Sequence, residues 1–139
     1  MSSNKSFSTE TSERYARALF ELVSESSELE TVEKNLKEAG LNIKVINGSV
    51  SGSTSSGGLN RVDWSLSEPG IDLIILGLGA NDMLRGIQPD ETKKNLEQII
   101  NIANNKKIKI ILAGMVAPNT HGKKYKKEFD DIYPNLSKK

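Results

Sequence analysis

Residues able to do chemistry concentrate in three short segments of the sequence. Residues 47–61, NGSVSGSTSSGGLNR, combine serine hydroxyls with glycines, which allow positive φ and close backbone approach. Residues 79–82, GAND, supply the side-chain amide of Asn81 and the carboxylate of Asp82, and VAPNTHGKKY contains the only histidine, His121. N–H groups of backbone and amide side chains stabilise an oxyanion, whereas a serine nucleophile needs a base beside it. The first two segments are therefore candidate parts of an oxyanion-binding site, and the third contains the candidate base.

Each segment also has a simpler interpretation. A stretch rich in glycine and serine is by itself typical of a flexible surface loop. Asparagine and aspartate after a strand favour an ordinary turn. A single loop histidine is more often solvated than catalytic, so a general-base role for His121 is the less favoured alternative.

Composition excludes several classes of site. The chain has 139 residues and a formal net charge of +1, which fits one small domain. The absence of cysteine excludes disulfides, thiolate zinc sites and a cysteine nucleophile, and a single histidine excludes a multi-histidine metal centre. We therefore expect neither a metal nor a cofactor. No apolar run approaches the ~18–20 residues of a membrane span, and the N-terminal residues lack the apolar core of a secretory signal, so we expect a cytoplasmic protein.

The candidate segments follow predicted β-strands. Apolar, β-branched runs predict strands over residues 43–46, 71–78 and 108–113, and the unbroken run IDLIILGL indicates a strand buried on both faces. Strands that alternate with helices pair in parallel through crossover connections, which predicts an α/β fold with about three parallel strands. In such sheets ligands bind beyond the carboxyl ends of the strands, where these segments lie.

Two helices complete this part of the chain. A helix is predicted over residues 88–104, because Pro89 suits a first helical turn and apolar residues recur at helical spacing. Its predicted buried stripe consists of Leu96, Ile99, Ile100 and Ala103. Tyr125, Phe129 and Ile132 predict a final short helix that ends near Pro134.

The N-terminal part differs in composition. No glycine precedes Gly40, and acidic residues outnumber basic ones up to that point, whereas basic residues predominate afterwards. Apolar spacing predicts one helix over residues 15–22 and another over 29–39, with Gly40 as its C-terminal stop. We therefore expect a helical segment over residues 1–35 and a separate part over residues 36–139.

Lysines are frequent in residues 106–139, and such a patch could contact nucleic acid or anionic lipid. No pattern of stacking aromatic residues accompanies these lysines. A solvated helical face is therefore the favoured interpretation, and no nucleic-acid partner is expected.

Residues from about 36 to 139 resemble the middle of an SGNH (GDSL-type) hydrolase of the arylesterase, lysophospholipase and acyl-CoA thioesterase group. The stretches that carry this resemblance are VINGSVSGSTSSGGLNRVDWSL, IDLIILGLGANDMLRGIQPDETKKNL and GMVAPNTHGKKYKKEFDDIYPNL. The resemblance implies a flavodoxin-like three-layer α/β fold and hydrolysis of small esters or thioesters by a serine. It also implies an oxyanion hole formed by the backbone N–H of Gly52 and the side chain of Asn81, with Gly79 and Asp82 supporting the loop.

The sequence departs from that family at the catalytic residues. The family carries its serine in a GDS motif after the first strand and its base in a DxxH motif near the C-terminus, and neither occurs in the 139 residues. His121 stands where the family usually has an aromatic residue. We therefore expect an incomplete SGNH-like fold that keeps the oxyanion loops, in which no residue is assigned as nucleophile or base and which is inactive alone.

Residues 7–35 resemble a different family, the delta subunit of bacterial F-type ATP synthase, through RYARALFEL and ELETVEKNL. The N-terminal helical domain of that subunit links the catalytic head to the peripheral stalk. The resemblance implies a fusion of two truncated parts and a contact between residues 7–35 and the F1 head. The alternative to the delta resemblance is a generic amphipathic helix pair. Two alternatives to the inactive hydrolase fragment stay open: an assembly segment of the delta type fused to a non-functional remnant, and an esterase whose missing blocks lie on another chain.

Overall fold

The computed structural model describes residues 34, 37–40 and 43–138, in two compact units that divide after Gly48. In the first unit, Lys34 and residues 37–38 are helical. Gly40 has a φ of +80° and donates its N–H to the carbonyl of Lys37 at 2.9 Å, so the helix ends at this glycine as predicted. The helix predicted over residues 15–22 lies outside the described residues, as do residues 29–33 and 35–36 of the helix predicted over 29–39.

The strand predicted over residues 43–46 is wrong. These residues have no regular secondary structure, and the side chains of Ile43 and Ile46 are exposed. A β-branched run becomes a strand only when its backbone pairs with a neighbour and its side chains gain burial. Ile43 and Ile46 do not gain that burial, so the local propensity has no packing to reinforce it.

The second unit alternates helices and strands, as the sequence predicts. In chain order its elements are helix α1 (Ser55–Ser65), strand β1 (Leu73–Leu76), helix α2 (Ala80–Leu84), helix α3 (Pro89–Asn105), strand β2 (Lys109–Leu112), a 3₁₀ turn (Asn119–His121), helix α4 (Gly122–Asp130) and helix α5 (Ile132–Leu136). Within the described part of the chain, no helix is both long and apolar enough to cross a membrane. The cytoplasmic location stays a prediction.

The sheet of the described residues has two parallel strands, not three. β1 and β2 pair in register, with Leu73 opposite Lys109 and Leu76 opposite Leu112. Leu76 is buried in the core, but Leu73 and Ile75 on the other face of β1 are 46% and 41% exposed. The expectation of a strand buried on both faces is therefore wrong. An apolar run indicates a preference for burial but does not show which element provides it. The described elements cover only one face of this strand.

Helix α1 replaces the second half of the predicted glycine- and serine-rich loop, from Ser55 onward. The hydroxyl of Thr54 caps the helix by accepting the N–H of Gly57 at 3.2 Å. Glycine lowers helix propensity by about 1 kcal/mol, but Gly58 has a packing reason for its place. A Cβ at this position would overlap Leu78 and contact Ile99, so the missing side chain lets α1 approach the end of β1 and α3 closely.

Helix α3 forms the centre of the core. It begins with Pro89 at its first position and has Asp90 and Glu91 in its first turn, within one residue of the predicted boundaries. The predicted stripe is confirmed, because Leu96, Ile99 and Ala103 are buried and Ile100 is partly buried against them.

The C-terminal helices supply a row of aromatic rings. Tyr125, Phe129 and Tyr133 follow one another at a spacing of four residues, with ring centroids 6.1 and 5.9 Å apart. The predicted end near Pro134 is wrong, because Pro134 lies inside α5, which continues to Leu136. Proline is tolerated there because it occupies the first turn, whose N–H groups have no helical partner anyway.

Candidate functional site

A buried carboxylate lies at the point where α1, α2 and α3 meet. Asp82 is fully buried and accepts the backbone N–H of Ser55 at 2.8 Å and the hydroxyl of Thr92 at 3.3 Å. The hydroxyl of Ser55 also donates to Asp82, and it accepts the side-chain amide of Asn95 at 3.0 Å. We call these four residues the Asp82 cluster. It ties the start of α1 to α2 and to the first turns of α3.

Every buried polar side-chain atom in the described part of the chain has a hydrogen-bond partner. This matters most in the Asp82 cluster, because an unpaired carboxylate or hydroxyl in a buried site costs several kcal/mol. Because all its polar atoms are hydrogen-bonded, the cluster fixes Asp82 and thereby the position of its neighbour Asn81.

Asn81 contacts the loop that contains Gly52. Its side-chain Nδ2 donates to the backbone carbonyl of Ser53 at 3.0 Å. Gly52 has a φ of +73°, a conformation that glycine adopts at little cost. The N–H of Ser53 closes the turn by donating to the carbonyl of Val50 at 3.1 Å. The two residues assigned to the oxyanion hole by resemblance, Gly52 and Asn81, therefore lie in adjoining segments.

Two arginines reach the same loop. Arg61 on α1 donates from Nη1 to the hydroxyl of Ser53 at 2.6 Å. Arg85, which follows α2, donates from Nη2 to the carbonyl of Gly52 at 3.0 Å. The Gly52–Ser53 segment is thus bonded by side chains from two different helices.

Gly79 directly precedes α2, the helix that contains Asn81, and Tyr133 packs against this glycine. The loop predicted over GAND is therefore wrong, because a helix begins at Ala80. Gly79 has a φ of +117° and precedes α2 as its cap residue. The Tyr133 hydroxyl donates to the carbonyl of Leu78 at 2.9 Å, and a Cβ on Gly79 would overlap this hydroxyl. Burial, the negative charge of Asp82 and the neighbouring Tyr125 raise the pKa of Tyr133 well above its ordinary value.

His121 lies apart from the serines. It is exposed, its ring packs at 5.0 Å from the ring of Tyr125, and it lies over Gly86. The Ser53 and Ser55 hydroxyls bond Arg61 and Asp82 instead of the histidine. The Ser55 hydroxyl is fully buried in the Asp82 cluster, which leaves it without access to a substrate.

The sequence pattern did not single out several residues that shape this site. These are Arg61, Arg85, Thr92, Asn95 and Tyr133, which contact the loops from positions 8 to 55 residues away along the chain. Periodicity locates the helices that carry Thr92 and Asn95 but does not reveal which buried polar group they serve. The available sequence signal for Thr92 is its place as a polar residue on an otherwise apolar helix face, because a buried polar group requires a partner.

The α/β fold and the adjoining Gly52 and Asn81 segments agree with an SGNH-hydrolase fold, and comparison with known proteins supports this. Residues 11–138 match the GDSL-like Lipase/Acylhydrolase family, and the chain belongs to this family. The match includes most of the N-terminal segment that was assigned by resemblance to ATP synthase delta.

Among the relatives is the arylesterase of Vibrio mimicus, which is 38% identical over 102 residues, or 73% of this chain and 51% of the relative. The esterase TesA of Pseudomonas aeruginosa is 35% identical over the same shares of the two chains. The crystal structure of AlinE4, an SGNH-hydrolase family esterase, has a TM-score of 0.73 and 44% identity, covering 78% of this chain and 58% of AlinE4. The chain therefore spans about half the length of the curated relatives it matches.

Proposed function

We propose that Gly52 and Asn81 form the oxyanion hole of a hydrolase that acts on small esters or thioesters. The observation that supports this most directly is the hydrogen bond from Asn81 Nδ2 to the carbonyl of Ser53 at 3.0 Å, which joins the start of α2 to the Gly52 loop. The relatives named arylesterase and esterase support the same reaction class.

The chemistry follows from the donors. When a nucleophile adds to an ester carbonyl, negative charge develops on the carbonyl oxygen, and preorganised N–H groups stabilise it. A side-chain amide has two N–H groups, so Asn81 can bond Ser53 with one and the oxyanion with the other. One such donor is typically worth about 3–4 kcal/mol in the transition state. The positive φ of Gly52 lets its backbone approach the reacting centre without a side chain in the way.

The 139-residue polypeptide is proposed to be inactive alone. Its sequence has neither a GDS nor a DxxH motif, and a serine hydroxyl without a base is a weak nucleophile. The Ser55 and Ser53 hydroxyls are engaged with Asp82 and Arg61, and His121 is oriented toward Tyr125. Donors without a nucleophile bind an oxyanion but do not create one.

Two measurements test this proposal. Turnover of p-nitrophenyl acetate and butyrate should equal the buffer background, with TesA of Pseudomonas aeruginosa as the active control. Turnover that is abolished by Ser51→Ala or His121→Ala would overturn the proposed inactivity. In parallel, acetate should shift the side-chain ¹⁵N–H₂ signals of Asn81 in NMR spectra, and the loss of acetate binding in Asn81→Ala should confirm the donor. A chain that binds no acetate would contradict the oxyanion hole itself.

A second candidate function rests on the motif RYARALFEL in residues 7–35. In this alternative the segment docks on the F1 head of an ATP synthase and the remainder is a passenger. The full chain, immobilised, should then capture purified F1, and Leu19→Asp should prevent capture by placing a charge on the apolar face. Equal capture by both chains, or none by either, would reject this alternative.

A further inference from the structure

The Gly52–Ser53 segment receives more side-chain hydrogen bonds than an exposed turn needs. Three side chains donate to it: Arg85 to the Gly52 carbonyl, Asn81 to the Ser53 carbonyl and Arg61 to the Ser53 hydroxyl. The bonds come from α1 and from the α2 region, and they act on two consecutive residues. Asn81 is accounted for by the proposed oxyanion hole, but the two arginines are not.

The arginines also differ from several lysines of the chain in the groups that they contact. In the part of the chain that the structure describes, ion pairs form between lysines and acidic residues, for example Lys126 with Asp130 at 2.7 Å. Neither Arg61 nor Arg85 forms an ion pair with a described residue, and each directs its guanidinium at the loop. Arginine suits this task because its rigid planar fork fixes the direction of each N–H.

We infer that Arg61 and Arg85 are positioning residues that hold the Gly52 loop in the geometry required by the proposed oxyanion hole. The inference rests on that proposed function. The Gly52 carbonyl and the Ser53 N–H belong to one planar peptide unit. Arg85 bonds its carbonyl end, and Val50 accepts its N–H end at 3.1 Å, so both ends of the plane are fixed.

Loss of Arg85 releases one end of this plane. Glycine has more backbone freedom than any other residue, so the freed unit can rotate at Gly52. This rotation changes its angle to the preceding peptide unit, which carries the Gly52 N–H. Arg61 acts on the neighbouring side by anchoring the Ser53 side chain at 2.6 Å. Because Arg85 is exposed and its bond lies at the surface, its loss changes the loop without removing any part of the core.

Amide hydrogen exchange of the full chain, followed by NMR, tests the inference directly. In Arg85→Met the Ser53 N–H should exchange about tenfold faster, as expected for the loss of one hydrogen bond, while Ile99 and Ala103 in α3 keep their rates. Arg85→Lys, which keeps a donor, should recover part of the protection. The matched control is Lys124→Met, which removes a cation that is 90% exposed and bonded only to Glu128. Unchanged exchange at Ser53, or equal acceleration throughout the chain, would overturn the inference.

Acetate binding by the same variants separates this inference from the function on which it rests. Arg85→Met and Arg61→Met should weaken acetate binding at the Asn81 side chain by up to about tenfold, in step with faster exchange at Ser53. Weaker acetate binding with unchanged exchange would mean that the guanidinium contacts the anion itself, which contradicts a positioning role. If the unsubstituted chain binds no acetate, the proposed function fails, and the exchange rates still decide whether the arginines hold the loop.

Discussion

The Asp82 cluster and the Gly52–Ser53 segment adjoin each other but are held in different ways. In the cluster, a fully buried carboxylate receives three hydrogen bonds from α1 and α3. In the segment, two backbone carbonyls and a hydroxyl receive bonds from Asn81, Arg61 and Arg85. The bond to Gly52 is exposed, and the two bonds to Ser53 are only partly buried. The number of bonds is equal, but one set excludes water and the other competes with it.

Because of that difference, the two regions should contribute differently to the stability of the fold and to the geometry of the candidate site. An unpaired buried group costs much more than an unpaired group that water can solvate. The Asp82 cluster should therefore decide whether the three helices assemble, and the bonds to the Gly52–Ser53 segment should decide the direction of a few N–H groups. Substitutions in the cluster and in the segment test this division by their effect on the free energy of unfolding.

The largest effect is expected from Asp82→Ala. It leaves the Ser55 N–H, the Ser55 hydroxyl and Thr92 without their acceptor in a buried site. We expect the free energy of unfolding to fall by about 3–5 kcal/mol, a large part of the total of a small domain. Urea denaturation measures this loss. Asp82→Asn keeps one acceptor oxygen and should lose less, and a loss below about 1 kcal/mol in Asp82→Ala would remove the distinction between the two regions.

Tyr133→Phe should have an intermediate effect, because it removes one buried hydrogen bond and keeps the ring. The Leu78 carbonyl, directly before Gly79, loses its donor at 2.9 Å. The expected decrease in the free energy of unfolding is about 1–2 kcal/mol by urea denaturation. Tyr125→Phe, which removes a similar bond to the carbonyl of Ile87 at 2.8 Å, is the matched control outside the GAND loop. Only Tyr133→Phe should also shift the NMR signals of Asn81.

High pH should weaken the buried region first. Burial raises the pKa of Tyr133 and of Tyr125, and the charge of Asp82 adds to both shifts. A raised pKa in the folded state means that stability is complete below the unfolded value of about 10 and decreases above it, as the unfolded chain releases protons. The decrease is at most about 1.4 kcal/mol per pH unit for each group. Urea midpoints between pH 8 and 11 should show it, and Tyr133→Phe should flatten the curve. An identical curve in that variant would show that Tyr133 does not titrate this way.

Arg85→Met should have the smallest effect on stability. Its bond to Gly52 lies at the surface, so the free energy of unfolding should change by no more than about 0.5 kcal/mol, although exchange at Ser53 increases. Thermal unfolding beside Lys124→Met measures this difference. A loss comparable with that of Tyr133→Phe would place the Gly52–Ser53 segment among the parts that hold the fold together.

The local sequence pattern was sufficient to predict an element where apolar residues recur periodically and where its first or last residue carries a capping signal. Helix α3 could be predicted from Pro89 and the apolar stripe through Ala103, and β2 from its β-branched run, because these signals lie within one element. Pattern failed where a distant contact decides the outcome. The glycines of α1 indicated a loop, yet Thr54 caps a helix there and Gly58 lies against Leu78.

The candidate site was accessible from sequence only in part. The family resemblance named Gly52, Gly79, Asn81 and Asp82, but the hydrogen bonds that hold them are made with other residues and are set by the fold. The partners of Asp82 lie 10 and 27 residues away in sequence, and hydrogen bonds over such separations leave no periodic trace. The extent of the sheet was also overestimated, because apolar runs reveal a preference for burial and not the neighbour that provides it.

Gly79 has a consequence for how this chain can vary. Its φ of +117° disfavours any L-residue with a side chain, and Tyr133 occupies the space that the side chain would need. Truncating Tyr133 would relieve the second restriction and leave the first. In a library that randomises both positions and is selected for folded protein, codons at position 79 should therefore converge on glycine whatever residue stands at position 133. The first letter of GAND would be kept by folding alone, even in a chain that has no reaction to catalyse.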